Sequence, residues 1–227
     1  MFNKFWEVMQ ATPDPAQQSR AAGGKSTPAP RADARRNIAA ILDAALACLT
    51  TNPDASVGDI ARAAGVGRVT LYGHFNSRAE LVDSAFARTV ERADEVLDAV
   101  DLTGDPHHAL AQLINSTWQL VDQLRMLLVA AQRALPQERI RELHDRPMQR
   151  VRSLIERGRS EGVFRTDLPA SWMVATFYSV LHGAADEITA GRLTDHNAAE
   201  LITATLLSAF NPPPQPDELR NAAGTRS

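Results

Sequence analysis

The sequence predicts an all-α protein: an N-terminal three-helix helix-turn-helix domain, then a larger helical domain. Three observations predict it. Apolar residues recur three and four apart through most of the chain, as a buried helix face requires. No window shows strand-like alternation bounded by turns. Breakers fall at intervals suited to helix ends: Asn52-Pro53, Gly65, Pro136, Pro147, Gly162, Pro169 and Gly191.

Taken in order, Phe2, Phe5, Trp6 and Met9 form an amphipathic turn too short to be stable alone. Residues 11–32 are rich in Pro, Ala, Gly, Ser and Gln and extend a disordered arm, residues 1–31. Ile38, Ile41, Leu42, Ala45 and Leu49 make one stripe of the first helix, which Asn52-Pro53 ends. Ser56 caps a second helix, about residues 57–64. After Gly65 comes a short segment, Arg68 to Gly73, and then a capping box, Ser77 with Glu80, opening a long helix to about Val100. Leu102 to Pro106 is a loop. Helical patterns follow at about 107–122, 124–134, 137–145, 147–161, 169–190 and 195–210. Pro212 to Pro214 stop the last one, leaving a second tail, residues 211–227. The expected domains are therefore 32–78 and 79–210, between the two tails.

A chain of 227 residues with 44% apolar content can bury a sizeable core. A net charge of −3 argues against a protein that simply coats nucleic acid. The charge is uneven, however. Residues 1–92 carry 11 Lys/Arg against 9 Asp/Glu, and residues 93–227 carry 13 against 18, which favours an anionic partner at the front. The single cysteine, Cys48, excludes a disulfide framework and a multi-cysteine zinc site, and it sits on an apolar face. No apolar run is long enough for a membrane span, and the first ten residues lack the features of a secretory signal. Both observations point to the cytoplasm.

The stretch VGDIARAAGVGRVTLYGHF, residues 57–75, holds two brief helices around Gly65. Ile60 and Ala61 face inward; Leu71 and Phe75, four apart, share the inner face of the second helix. The opposite face presents Arg68, Val69, Tyr72 and Gly73, with Thr70 on its edge. A packed trihelical unit of this kind places its second helix in the DNA major groove.

Residues 41–86 resemble the DNA-binding region of the TetR (tetracycline-repressor-like) family. The resemblance runs through Ala44-Ala45, Ser56-Val57-x-Asp59-Ile60-Ala61, Ala64-Gly65-Val66, Thr70-Leu71-Tyr72-x-His74-Phe75 and Ser77-Arg78-x-Glu80-Leu81, in one register. Three positions depart from it: Asn52-Pro53 where Gly is common, Gly67 where Ser usually caps the recognition helix, and Val69 where Gly or Pro is common. The resemblance implies a ligand-responsive transcriptional regulator, a repressor, that binds a palindromic double-stranded operator as a homodimer. Arg68 is expected to grip guanine through two hydrogen bonds, Val69 to touch a thymine methyl, and Thr70 to contact base or phosphate. Tyr72 and His74, by resemblance, reach the phosphate backbone. Ser56, Arg78 and the amides near Ser77 hold phosphates, while Gly67 leaves the helix start without a hydroxyl. Arg35 and Arg36 are helix-start charges able to add backbone or minor-groove contacts.

In the larger domain, Ala198, Leu201, Ile202, Thr205, Leu206 and Ala209 form one stripe. Trp172, Met173, Val174, Phe177, Val180, Leu181 and Ile188 make the preceding helix apolar over much of its surface. As in the family, a pair of such helices from each of two subunits makes a four-helix interface. Trp118, Arg125, Met126, Phe177, Tyr178, His182 and Asp186 are the candidate lining of a pocket for a small-molecule effector.

The enzyme readings fail on spacing. Gly24-Lys25-Ser26 ends like a phosphate-binding loop, but its first glycine would be Ser19 and no strand precedes it. Gly65-x-Gly67 continues to Thr70 where a dinucleotide fingerprint needs glycine. His182 and Asp186, one turn apart, lack a third metal ligand, and His107-His108 precede no acid at a useful spacing. No cofactor or metal is expected. The alternative is a helical dimer that binds only ligand or protein, and the intact outward set Arg68, Thr70, Tyr72 and His74 argues against it.

Overall fold

The computed structural model describes residues 30–213, and every regular element among them is helical. The order is α1 (Pro30–Thr51), α2 (Val57–Ala63), α3 (Arg68–Tyr72), α4 (Arg78–Asp98), α5 (Pro106–Ala134), α6 (Gln137–Ser160), α7 (Ala170–Thr189), a 3-10 turn (Asp195–Asn197) and α8 (Ala198–Phe210). The N-terminal aromatic residues, the Gly24-Lys25-Ser26 stretch and most of both expected tails lie outside the described residues. The described chain divides into two compact units. One holds residues 30–98 with Gln123–Asp145; the other holds Ala99–Asp122 with residues 146–213.

The first unit is built around α1. Ile41, Ala45 and Leu49 lie fully buried along it, with Leu42 and Cys48 packed at the edge of the core. Onto this stripe close Ile60 and Ala61 of α2, Leu71 and Phe75 at α3, and Leu81, Val82, Ala85 and Phe86 of α4. The same core takes Leu127, Leu128, Ala130 and Ala131 of α5 and Ile140 of α6. Ion pairs edge it. Arg88 donates to Asp43 at 2.5 Å and to the Ala39 carbonyl, tying α4 to α1. Arg139 makes a two-pronged contact with Asp83 at 2.8 and 3.2 Å, and Arg133 reaches Asp54 at 2.6 Å. His144 lies against Phe86, with ring centroids 5.8 Å apart, and donates from Nδ1 to the Ile140 carbonyl at 2.8 Å. Burial holds its pKa below the usual imidazole value.

In the second unit α7 buries Met173, Val174, Phe177, Leu181 and Ala185, and its neighbour α8 buries Ala198, Ile202, Leu206 and Phe210. Phe164 ties the end of α6 to the end of α8: its ring meets Phe210 at 6.2 Å and His107 at 5.5 Å. That approach needs a residue without a side chain at 158, since a Cβ on Gly158 would lie 2.2 Å from the Phe164 ring. The Arg165 amide donates to the Phe210 carbonyl at 2.8 Å, and Arg157 holds the Leu102 and Gly104 carbonyls at 2.6 Å each.

Two expected breaks are absent. The patterns at 107–122 and 124–134 form one helix, α5, because Gln123 is a good helix former with no Gly or Pro beside it. The patterns at 137–145 and 147–161 likewise join in α6, which runs through Pro147. A proline removes one helix hydrogen bond, and the apolar face on either side outweighs that loss here.

Candidate nucleic-acid interface

The interface is assembled from three caps. At the first, Ser56 adopts extended backbone (φ −79°, ψ 158°) and its hydroxyl accepts the Asp59 amide at 3.2 Å. Asp59 answers by accepting the Ser56 amide at 3.2 Å and the Ser56 hydroxyl at 2.6 Å. Those hydrogen bonds, the hydroxyl's foremost, hold the Asp59 carboxyl below the usual carboxylate range, and Arg62 at 3.1 Å adds to the effect. At the second cap, Gly65 has φ +68°, a left-handed conformation that costs a side-chain-bearing residue about 1–2 kcal/mol. Its amide donates to Arg62 and the Val66 amide to Ala61, which closes α2 in a Schellman turn. At the third, the Ser77 hydroxyl accepts the Glu80 amide at 3.1 Å. Glu80 reaches back to the Asn76 amide and side chain, one residue before the position that the capping box predicts.

Between the second and third caps sits α3, five residues long. Gly67 precedes it with extended backbone and no side-chain cap. Such a helix has almost no stability of its own. Leu71, 1% exposed, and Phe75 hold it to the core. Its other side faces solvent: Arg68, Val69 (87% exposed), Thr70, Tyr72 (46%) and Gly73. Among the described residues, no hydrogen bond or ion pair engages the side chains of Arg68, Thr70 or Tyr72. His74 is half-buried beside them. Arg78 is turned inward, donating to the Pro53 carbonyl at 2.6 Å and the Ala55 carbonyl at 3.3 Å, so it clamps the turn before α2.

The second candidate set is less gathered. Trp118 and Phe177 are buried in the second unit, and Tyr178 and His182 there bring their rings to 4.1 Å. Asp186 is exposed on the same helix, while Arg125 and Met126 are half-buried members of the first unit. Among the described residues there is no group of three His, Cys, Asp or Glu able to hold a metal ion, and no helix long and apolar enough to cross a membrane. Sequence spacing alone misses two features. One is the pair of arginines, Arg133 and Arg139, that fix the distal part of α5 and the start of α6 within the first unit. The other is the place of Arg68, whose guanidinium lies over Gly58, ten positions earlier in a different helix.

The family model for bacterial regulatory proteins of the tetR family matches residues 41–85, which hold the second half of α1, all of α2 and α3 and the start of α4. That segment carries the DNA-binding region of the tetR family. The chain's curated relatives include the transcriptional repressor LfrR of Mycolicibacterium smegmatis, 23% identical over 175 residues, covering 77% of this chain and 90% of LfrR. The transcriptional repressor KstR2 of Mycobacterium tuberculosis is 31% identical over 121 residues, 50% of this chain and 60% of KstR2. Among solved structures, LfrR in complex with proflavine superposes with a TM-score of 0.60 at 23% identity, covering 78% of this chain and 97% of that one. FadR of Bacillus subtilis in complex with stearoyl-CoA gives 0.61 at 19% identity, covering 76% and 99%. These structures share the fold. With that segment and these relatives, the chain is a DNA-binding transcriptional regulator.

Proposed function

We propose that this regulator binds a palindromic operator as a homodimer in the cytoplasm, represses transcription from it, and is released by a small-molecule effector. The observation that carries the reading is the division of α3 into a buried side, Leu71, and a solvent side whose polar side chains are unemployed among the described residues. Arg68 reads guanine through its two-pronged donor set, Val69 meets a thymine methyl, and Thr70 contacts base or phosphate. Tyr72, His74, Ser56 and the amides at the start of α4 hold phosphates, which position the protein without reading sequence. Gly67 lets the backbone come close at the helix start. Arg78, committed to two carbonyls, contributes positive charge near the phosphates and keeps the 53–56 turn in place.

One reading head on one half-site binds weakly, and a second copy doubles the contacts. Trp172 on α7 (62% exposed) and Leu201 on α8 (52%) support pairing through those helices. The small molecules held by LfrR and FadR support an effector here, with Trp118, Phe177, Tyr178, His182 and Asp186 of the second unit as its proposed contacts. Selection of bound DNA from a random pool, repeated with a metabolite library, tests the whole reading. The expected result is an inverted repeat with half-sites about one helical turn apart, or a multiple of it, and loss of binding with some library members. Enrichment of no sequence, or of a single asymmetric site, would overturn it.

A further inference from the structure

Gly58 is the second residue of α2, a position where glycine weakens a helix relative to alanine. Its φ lies outside the left-handed region, so the backbone does not require glycine. What fills the vacant space is Arg68. A Cβ at position 58 would lie 3.5 Å from both Cζ and Nε of Arg68, and 3.5 Å from the Ser56 hydroxyl. The first side chain of α3 therefore folds back across the bare first turn of α2. No hydrogen bond or ion pair among the described residues holds the guanidinium there, so contact with that turn is its support.

We infer that Gly58 is a positioning residue for base reading by Arg68, and thereby a determinant of operator specificity. The inference rests on the proposed role of Arg68 as a base contact. A guanidinium recognises guanine through two parallel hydrogen bonds, and these survive only while the plane and direction of the fork are kept. The empty first turn of α2 is the seat from which the fork is aimed. A methyl group at 3.5 Å is in ordinary contact and fits beside it. A longer side chain occupies the seat and redirects the fork, with no need to touch DNA itself.

The test measures binding of the full chain to its selected operator and to versions substituted at each base pair. It compares wild type, Gly58→Ala, Gly58→Leu, Gly58→Gln, Arg68→Ala and the double variant Gly58→Leu/Arg68→Ala, with thermal midpoints alongside. Arg68→Ala is expected to lose about 5- to 140-fold of discrimination at one base pair of each half-site. Gly58→Ala should keep that discrimination and melt at or above the wild-type temperature. Gly58→Leu and Gly58→Gln should lose discrimination at the same base pair with the midpoint maintained, and the double variant should match Arg68→Ala. If the leucine variant does not fold, the glutamine variant carries the comparison. The inference is overturned if Arg68→Ala loses the preference while both long side chains at 58 leave it intact. It is also overturned if they act at a different base pair, or if their effect persists undiminished without Arg68. Should Arg68→Ala itself leave the preference unchanged, the base-reading role fails first, and this inference with it.

Discussion

Leu71→Ala measures how far the recognition helix depends on its neighbours. The side chain is 1% exposed and packs in the core of the first unit. Truncating a buried leucine costs about 2–5 kcal/mol, the transfer of the lost carbons plus the cavity they leave. A mid-range loss of about 3 kcal/mol lowers the folding equilibrium constant roughly 150-fold. For a chain of this size it lowers the thermal midpoint by about 6–12 °C. The adjacent Tyr72 supplies the control. It is 46% exposed, so Tyr72→Ala should change stability by no more than about 0.5 kcal/mol. Urea and thermal unfolding followed by circular dichroism give both values, and a gel shift well below the midpoint gives DNA binding. The expected pattern is a large stability loss for Leu71→Ala, and for Tyr72→Ala a loss of binding alone. Equal destabilisation by the two, or a cost below about 1 kcal/mol for Leu71→Ala, would refute the assignment of inner and outer sides.

Ser56→Ala removes the cap of α2 and should cost about 1 kcal/mol. Since the Asp59 pKa is depressed in the fold, the contribution of this capping box is fully present above the usual carboxylate range and lost as pH falls through the depressed value, so an acid titration of the variant should lack that step. His144 is held neutral by burial, its pKa below the usual 6.5; its contribution is fully present above that value and lost as pH falls toward the lowered one. The wild-type midpoint should therefore drop through that window and His144→Gln should flatten the slope; an unchanged slope would contradict the burial account. Gly158→Ala forces a methyl group into the Phe164 ring and should cost about 1–3 kcal/mol by thermal unfolding.

The parts of the fold set by local chemistry were the most readable in the sequence. Ser56 and Ser77 mark helix starts because their hydroxyls can reach the amide three residues on, and both do so. Gly65 marks a stop because it is free to adopt the left-handed conformation found there. Leu71 and Phe75 could be assigned inward from their spacing of four. Continuity of α5 and α6 was harder to read. Gln123 and Pro147 differ from their surroundings only locally, and the helices persist because faces on both sides are buried. Residues 123–145 join the first unit through Leu127, Ala130, Ala131 and Ile140, and no local period names the partner of such a face. The meeting of Gly58 and Arg68 was hidden for the same reason: it spans a turn and joins two helices. Arg78, outward by analogy, donates to the Pro53 and Ala55 carbonyls, partners that only the folded turn brings near.

The central claim is that α3 is carried by its packed side so that its free side can read DNA. Gel-shift titrations of Arg68→Ala and Tyr72→Ala against the selected operator and its base-substituted versions test this most directly. The account predicts that Arg68→Ala relaxes preference at one base pair per half-site, while Tyr72→Ala weakens binding to every sequence by a similar factor. Wild-type affinity and wild-type preference in both variants would contradict it.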